Sequence, residues 1–195
     1  LGQNVNAYNF EGLRLSNLIL EIEKISGLER IRYMTSHPND MTDDLIEIYK
    51  YSKKIMPLVH LPVQSGSNKI LKLMNRKHTI EDYIRTFNKL KNINSKINFS
   101  SDFIIAYPGE TEKDFRDTLK LIEEVKFMNS FSFIFSPRPG TVASDLPIIN
   151  REVSLKRLET IQKILSEKQL KMNKLLENTI QKVLVENRTE DKTKL

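Results

Sequence analysis

The chain has 195 residues, of which 39% are hydrophobic and 29% charged, and its formal net charge is +6. This composition is ordinary for a globular protein, and we expect no membrane segment because no apolar run reaches the roughly 18 residues that a span needs. The absence of cysteine excludes disulfides and thiolate–metal sites within this chain, and the three histidines lack metal-site spacing.

The predicted elements alternate between short strands and longer helices. Apolar residues at helical spacing predict a first helix from Leu15, which Gly27 ends. Thr42, Thr79 and Thr111 are each predicted to cap a further helix, with Asp82 completing a capping box at Thr79. Clusters of β-branched and aromatic residues predict strands at 30–35, 58–63, 97–107 and 130–136.

Repeated strand–helix units predict an α/β fold with a parallel sheet. Phe131, Phe133 and Phe135 alternate in the last of these strands, and Ile134 between them predicts burial on both faces. A long helix at 153–176 follows, and 179–186 is predicted to be a strand that begins a second domain. The segment from Arg151 onward holds eleven Lys or Arg and seven Asp or Glu. This basic tail suits RNA, but on charge alone a solvated helix is the favoured explanation.

Functional side chains are expected where the parallel strands end. Gln64 follows the second predicted strand, Arg76 ends the next short helix, and Asp102 lies in the third strand. Arg binds a carboxylate bidentately, Asp accepts hydrogen bonds from a diol, and Gln both donates and accepts. Together they suit a ligand with an amino-acid end and a nucleoside end. Taken alone, Arg76 is better explained as a cation that interacts with the dipole at a helix C-terminus.

Several strings resemble those of the radical SAM methylthiotransferase family, in order along nearly the whole chain. They are Leu1-Gly2-Gln3-Asn4-Val5-Asn6, Thr35-Ser36-His37-Pro38, His60-Leu61-Pro62-Val63-Gln64-Ser65-Gly66-Ser67-Asn68 continuing to Arg76, Tyr107-Pro108-Gly109-Glu110-Thr111 and Ser136-Pro137-Arg138-Pro139-Gly140-Thr141. The first residue is Leu rather than Met, so we expect a chain that begins in mid-protein.

The resemblance implies a partial (β/α) barrel of radical SAM type at 1–177, with its later strands only. The start of a small β-barrel RNA-binding domain would follow at 178–195. It also implies S-adenosylmethionine (SAM) and two 4Fe–4S clusters as cofactors, although the cluster cysteines would lie before Leu1. By the same resemblance, the residues that contact SAM are Gln3, Asn4, Gln64, Ser65, Arg76, Asp102 and Ala106, and Arg138 contacts the substrate.

Particular roles follow from the resemblance. Gln3 and Asn4 would bind the methionine amino group, Arg76 its carboxylate, and Gln64 with Asp102 the ribose. Ala106 stands where the family usually has Gly, so its methyl group could crowd the adenine.

The expected substrate is N6-dimethylallyladenosine beside the tRNA anticodon, modified in the cytoplasm, unless the chain belongs to an organelle. Three alternatives stay open. They are a threonylcarbamoyladenosine enzyme of the same family, a catalytically inactive RNA-binding fragment, and an unrelated barrel enzyme with a phosphorylated substrate.

Overall fold

The structure, a computed structural model, describes residues 4–184. The strands of this part are β1 (Asn9–Phe10), β2 (Leu13–Arg14), β3 (Leu58–His60), β4 (Asn98–Ile105) and β5 (Asn129–Ile134). Its α-helices are α1 (Leu15–Glu23), α2 (Asp43–Tyr51), α3 (Asn68–Leu73), α4 (Ile80–Ile93), α5 (Glu112–Val125) and α6 (Arg151–Lys174). None of these helices combines the length and the apolar character that crossing a membrane requires.

A parallel sheet lies at the centre of the molecule. β4 pairs with β3 on one side and with β5 on the other, while β1 and β2 form a separate antiparallel hairpin. Parallel strands need crossover connections, which α3 with α4 and then α5 supply. The described sheet does not close on itself. The predicted α/β class and partial barrel are therefore confirmed.

Local capping chemistry fixes where the crossover helices begin. Thr79 accepts a hydrogen bond from the backbone N–H of Asp82, and Thr111 accepts one from Asp114. Each aspartate carboxylate accepts in turn from the backbone N–H of its threonine, which completes a capping box. Thr42 precedes α2 as predicted, although its side chain makes no capping hydrogen bond.

The odd-numbered residues of β4 pack against the helices and form much of the core. Phe99, Phe103 and Ile105 are at most 1% exposed, and Tyr83 of α4 is fully buried with them. The Phe103 ring meets Phe127 edge-on, with ring centroids 5.4 Å apart. Because side chains alternate between the faces of a strand, the even-numbered residues of β4 lie on the opposite, open face of the sheet.

The strand predicted at 30–35 is wrong in extent, whereas the other three are present with shorter bounds. Ile31 alone pairs, in an isolated parallel bridge with Ile55. Further along the segment, the carbonyl of Thr35 accepts a hydrogen bond from the backbone N–H of Val5 at 3.1 Å, rather than from a strand of the sheet. One bridge is what remains of the predicted strand.

The prediction that the last strand is buried on both faces is also wrong. Asp102 of β4 lies opposite Phe131 of β5, and Ile104 lies opposite Phe133, so the two aromatic side chains share the open face. They are 54% and 55% exposed. Ile134 faces the other way and packs on the core. Alternation along the chain defines a shared face without saying whether another element covers that face.

The strand predicted at 179–186 is not formed over 179–184, and residues 185–195 lie outside the described part of the chain. Lys182 pairs with Glu29 at 2.9 Å, and the Arg30 guanidinium donates to the Lys182 carbonyl at 3.0 Å. Side-chain contacts, rather than the backbone hydrogen bonds of a sheet, therefore join residues 179–184 to Glu29 and Arg30. The domain boundary at 177/178 stays a prediction.

Candidate functional site

Three non-glycine residues have a left-handed backbone, and two of them follow strands β3 and β4 of the sheet. Thr35, Gln64 and Ala106 have φ angles of 63°, 74° and 55°. This conformation is uncommon for residues with a Cβ atom and costs about 1–3 kcal/mol each, and such residues cluster at functional sites. In open α/β sheets, ligands bind at the carboxyl ends of the strands. We call the edge of the sheet where β3 and β4 end the carboxyl edge.

Two predicted residues, Gln64 and Asp102, are held together by paired backbones. The N–H of Gln64 donates to the carbonyl of Asp102 at 3.0 Å, and the N–H of Ile104 donates to the carbonyl of Gln64 at 2.9 Å. The Asp102 carboxylate lies 3.6 Å from Nε2 of His60, whose Nδ1 is 2.9 Å from the Ser100 hydroxyl. The Asp102 side chain is 30% exposed, so it is free to accept from a ligand.

A Schellman motif places Arg76 beyond the end of α3. The N–H of Arg76 donates to the carbonyl of Leu71 at 2.8 Å, and the N–H of Asn75 donates to that of Lys72 at 3.0 Å. Asn75 takes the left-handed position with φ of 57°. Arg76 therefore follows the helix cap, and the backbone turn rather than a helix dipole explains its placement.

The charge of Arg76 has no protein counter-ion within 4 Å in residues 4–184. Burial lowers the pKa of Arg76, and Asp102 opposes that shift. Burial also lowers the pKa of His37, and that of His78 to about 4, and the Arg76 cation contributes to both shifts. The guanidinium is thus half-buried and without a paired carboxylate in this part of the chain, which leaves it able to bind a ligand carboxylate bidentately.

Unpartnered buried oxygens lie at the N-terminal side of the carboxyl edge. Oδ1 of Asn4 and the hydroxyl of Ser36 are buried and have no hydrogen-bond partner among residues 4–184. Their segments are adjacent, because the Val5 N–H donates to the Thr35 carbonyl at 3.1 Å. Buried polar atoms are normally satisfied, so a ligand ammonium would suit these acceptors. Gln3, which was predicted beside Asn4, lies outside the described residues.

Two predicted residues, Ser65 and Ala106, are buried and already form hydrogen bonds within the protein. Ser65 is fully buried, and its hydroxyl is 3.4 Å from that of Thr118 in α5. Ala106 is 2% exposed, and its N–H donates to Oε2 of Glu110 at 2.8 Å. Its left-handed φ is one that glycine adopts without strain, which gives a physical reason for glycine as the usual residue at this position.

A cavity of about 860 Å³ opens on the carboxyl edge, within the size range of ligand sites. Arg76 and Arg138 both line it, so the structure brings these two predicted residues together; the other predicted residues are not in its lining. Sequence reasoning missed its aromatic wall of Tyr107, Phe133 and Phe135. The rings of Tyr107 and Phe135 are 4.9 Å apart, and the alternation of phenylalanines in β5 was the available signal.

The residues at this edge fit SAM but do not by themselves hold an iron–sulfur cluster. Asn4 offers an acceptor for an ammonium group, Arg76 a donor pair for a carboxylate, and Gln64 with Asp102 the partners of a ribose. Cluster ligation needs thiolates, and the chain has no cysteine. Residues 4–184 also contain no group of three or more His, Asp or Glu arranged to hold a metal ion.

Comparison with known proteins agrees with the predicted partial barrel of radical SAM type. The sequence model of the radical SAM superfamily matches residues 2–122. The tRNA-2-methylthio-N(6)-dimethylallyladenosine synthase of Pelagibacter ubique is 63% identical over 199 residues, which covers 100% of this chain and 45% of that protein. The synthase of the same name from Ehrlichia canis is 52% identical over 179 residues, 89% of this chain and 41% of the relative. The chain thus spans less than half the length of these relatives.

A solved structure is similar in fold. Coproporphyrinogen III oxidase from Escherichia coli, described as a radical SAM enzyme, superposes with a TM-score of 0.55 at 18% identity. The match covers 68% of this chain and 31% of that chain. At this identity, the likeness concerns the fold alone.

Proposed function

Since the chain belongs to the radical SAM superfamily, we propose that it is the SAM-binding part of a tRNA methylthiotransferase. Its substrate would be N6-dimethylallyladenosine next to the anticodon, and its product the 2-methylthio derivative. The observation that carries this proposal is the half-buried Arg76 at the same edge as the paired Gln64 and Asp102. The names of the relatives from Pelagibacter ubique and Ehrlichia canis support the substrate.

In this proposal, the chain binds and orients the cofactor. Arg76 donates two hydrogen bonds to the methionine carboxylate, and Oδ1 of Asn4 accepts one from the ammonium group. Asp102 accepts from the ribose hydroxyls, and Gln64 holds the same sugar from the neighbouring segment. When bound at a cluster with cysteine ligands from outside this chain, SAM supplies the radical chemistry at the adenine ring and the transferred methyl group.

The open face of β5 favours the dimethylallyl substrate over its threonylcarbamoyl counterpart. Phe133, Phe135, Val142 and Ala143 give the cavity an apolar wall. Such a wall suits a branched five-carbon alkyl group, whereas it would leave the polar carbamoyl and carboxylate groups without hydrogen bonds. Arg138 at the same cavity is proposed to contact a tRNA phosphate.

The remaining parts of the proposal concern the tRNA partner. Residues 178–195 would begin an RNA-binding domain, for which the excess of Lys and Arg after Arg151 is the support. The cytoplasm, where a tRNA substrate is available, is the proposed compartment.

A chimera tests the proposal with the chain in a complete enzyme. The chain replaces the 199 matching residues of the Pelagibacter ubique relative, in a host without its own methylthiotransferase, and tRNA nucleosides are analysed by mass spectrometry. We expect 2-methylthio-N6-dimethylallyladenosine, most of which is lost with Arg76→Gln or Asp102→Asn but not with the exposed control Arg85→Gln. A threonylcarbamoyl product would support that alternative enzyme. A stably produced chimera that modifies no tRNA would support the inactive RNA-binding fragment.

A further inference from the structure

We propose that Arg157 of α6 is a positioning residue for the cofactor, acting through Glu110 on the backbone of Ala106. This inference rests on the proposed function, because it assigns Arg157 a role at the SAM site without direct contact. The three residues Arg157, Glu110 and Ala106 are called the clamp below.

One carboxylate oxygen joins the parts of the clamp. Oε2 of Glu110 accepts from Nη1 of Arg157 at 2.7 Å and from the N–H of Ala106 at 2.8 Å. Nη1 of Arg157 also reaches the Glu110 carbonyl at 3.3 Å. Arg157 and Glu110 are 7% and 5% exposed, and the guanidinium lies over the Phe115 ring at 5.3 Å. The clamp therefore connects α6 to the turn at the carboxyl end of β4.

The bonding of this pair indicates a positioning role more than a stabilising one. Oε1 of Glu110 and Nε of Arg157 are both buried without a partner among the described residues. Burial raises the pKa of Glu110 while the Ala106 amide and Arg157 oppose the shift. Buried ion pairs often add little net stability because desolvation offsets the attraction. What this pair does supply is a fixed acceptor for the N–H of Ala106.

Ala106 needs such an acceptor because it has a Cβ atom and a φ of 55°. Glycine would adopt this conformation freely, whereas alanine in the left-handed region is strained. The clamp holds the strained turn, and the turn sets the wall on which the adenine of SAM would lie. Arg157 thus compensates for the alanine that stands at a position suited to glycine.

The test compares Arg157→Met and the shape-conserving Glu110→Gln with a matched control, Lys168→Met, on the full chain. Lys168 pairs with Glu123 at 2.7 Å and so joins α6 to α5, the helix that follows Glu110 in the chain. Two quantities are measured: the hydrogen-exchange rate of the Ala106 amide by NMR, and the Kd for labelled SAM by equilibrium dialysis. We expect both clamp variants to raise each quantity, Arg157→Met by about tenfold, and Lys168→Met to change neither.

A rescue experiment separates positioning from general packing. Adding Ala106→Gly to Arg157→Met should recover most of the lost SAM affinity without recovering the melting temperature, because glycine needs no clamp. The inference is overturned if SAM affinity is unchanged in the clamp variants, if Lys168→Met weakens it equally, or if Ala106→Gly rescues nothing. If the unmodified chain binds no SAM, the SAM-binding proposal and the positioning role both fail. SAM binding that the clamp variants leave intact removes the positioning role alone.

Discussion

Gly66 stands where the loop after β3 meets the backbone of α5, and its replacement by alanine is a stringent test of this packing. A Cβ atom at Gly66 would lie 2.4 Å from Cα of Thr118 and 2.5 Å from the carbonyl oxygen of Asp117. Both are backbone atoms of a helix, so no side chain can rotate away to make room.

The cost of Gly66→Ala follows from these distances. Ordinary contact for a Cβ atom begins at 3.4 Å, so the loop and α5 must separate by about 1 Å. Overpacking of this kind costs about 1–3 kcal/mol. The hydrogen bond from the Gly66 N–H to the Thr118 hydroxyl, now 2.9 Å, would also stretch, at about 1 kcal/mol. We expect the free energy of unfolding to fall by about 2–4 kcal/mol.

Urea unfolding followed by far-UV circular dichroism measures this loss. Gly27→Ala is the control for backbone strain without a clash, because Gly27, unlike Gly66, has a positive φ, of 79°, and nothing lies within 4 Å of an added Cβ atom; it should cost only about 1 kcal/mol. Thr118→Val isolates the hydrogen bond. A Gly66→Ala protein no less stable than the Gly27→Ala protein would refute the close-approach argument. Because the same loop carries Gln64, SAM affinity should fall in Gly66→Ala as well.

Three further substitutions have defined outcomes. The pKa of His78 is lowered to about 4 by burial. As the pH falls, the unfolded chain therefore takes up a proton near pH 6.5, before the folded chain does. The free energy of unfolding should fall by up to about 3 kcal/mol between pH 6.5 and pH 4. In urea unfolding, His78→Phe should remove most of that acid loss, and an unaltered pH dependence would contradict the buried neutral imidazole. Arg76→Gln should weaken SAM binding by roughly tenfold in equilibrium dialysis without lowering the melting temperature, whereas Arg85→Gln on exposed α4 should change neither quantity. Equal losses of SAM affinity in the two variants would contradict the proposed role of Arg76 in binding SAM. Asp114→Asn should lower the free energy of unfolding in urea by about 2–3 kcal/mol, because this carboxylate accepts hydrogen bonds from Ser, Thr and Lys side chains of two segments. Asp117→Asn, whose two Lys partners are exposed, should lower it by under about 1 kcal/mol. A larger loss for Asp117→Asn than for Asp114→Asn would be inconsistent with the hydrogen-bond network of Asp114.

The parts of the fold that sequence predicts well are those that local chemistry decides. The boxes at Thr79 and Thr111 are formed by residues three apart, so the sequence contains all the partners. The β1–β2 hairpin was missed although Glu11 and Gly12, with φ of 50° and 84°, form a two-residue turn. Glycine at the second turn position was the signal, but glutamate is an unusual residue at the first.

The parts that sequence cannot predict depend on distant partners. Arg157 and Glu110 are separated by 47 positions, and no spacing rule links an arginine inside a long helix to a carboxylate in a loop. The exposure of Phe131 and Phe133 likewise depends on what faces them across the sheet, which alternation does not specify. By contrast, Gln64 and Asp102 could be predicted to lie together, because the ends of parallel strands converge.

The most direct test of the SAM site is an NMR titration of the isotopically labelled chain with SAM, followed through backbone amide shifts. The account predicts saturable shifts at Gln64 and Ser65, at Arg76 and at Ala106–Tyr107, with weaker shifts for Asp102→Asn. Saturable shifts confined to the polar groove lined by Lys69, Glu81 and Lys113, or no shifts at millimolar SAM, would contradict it.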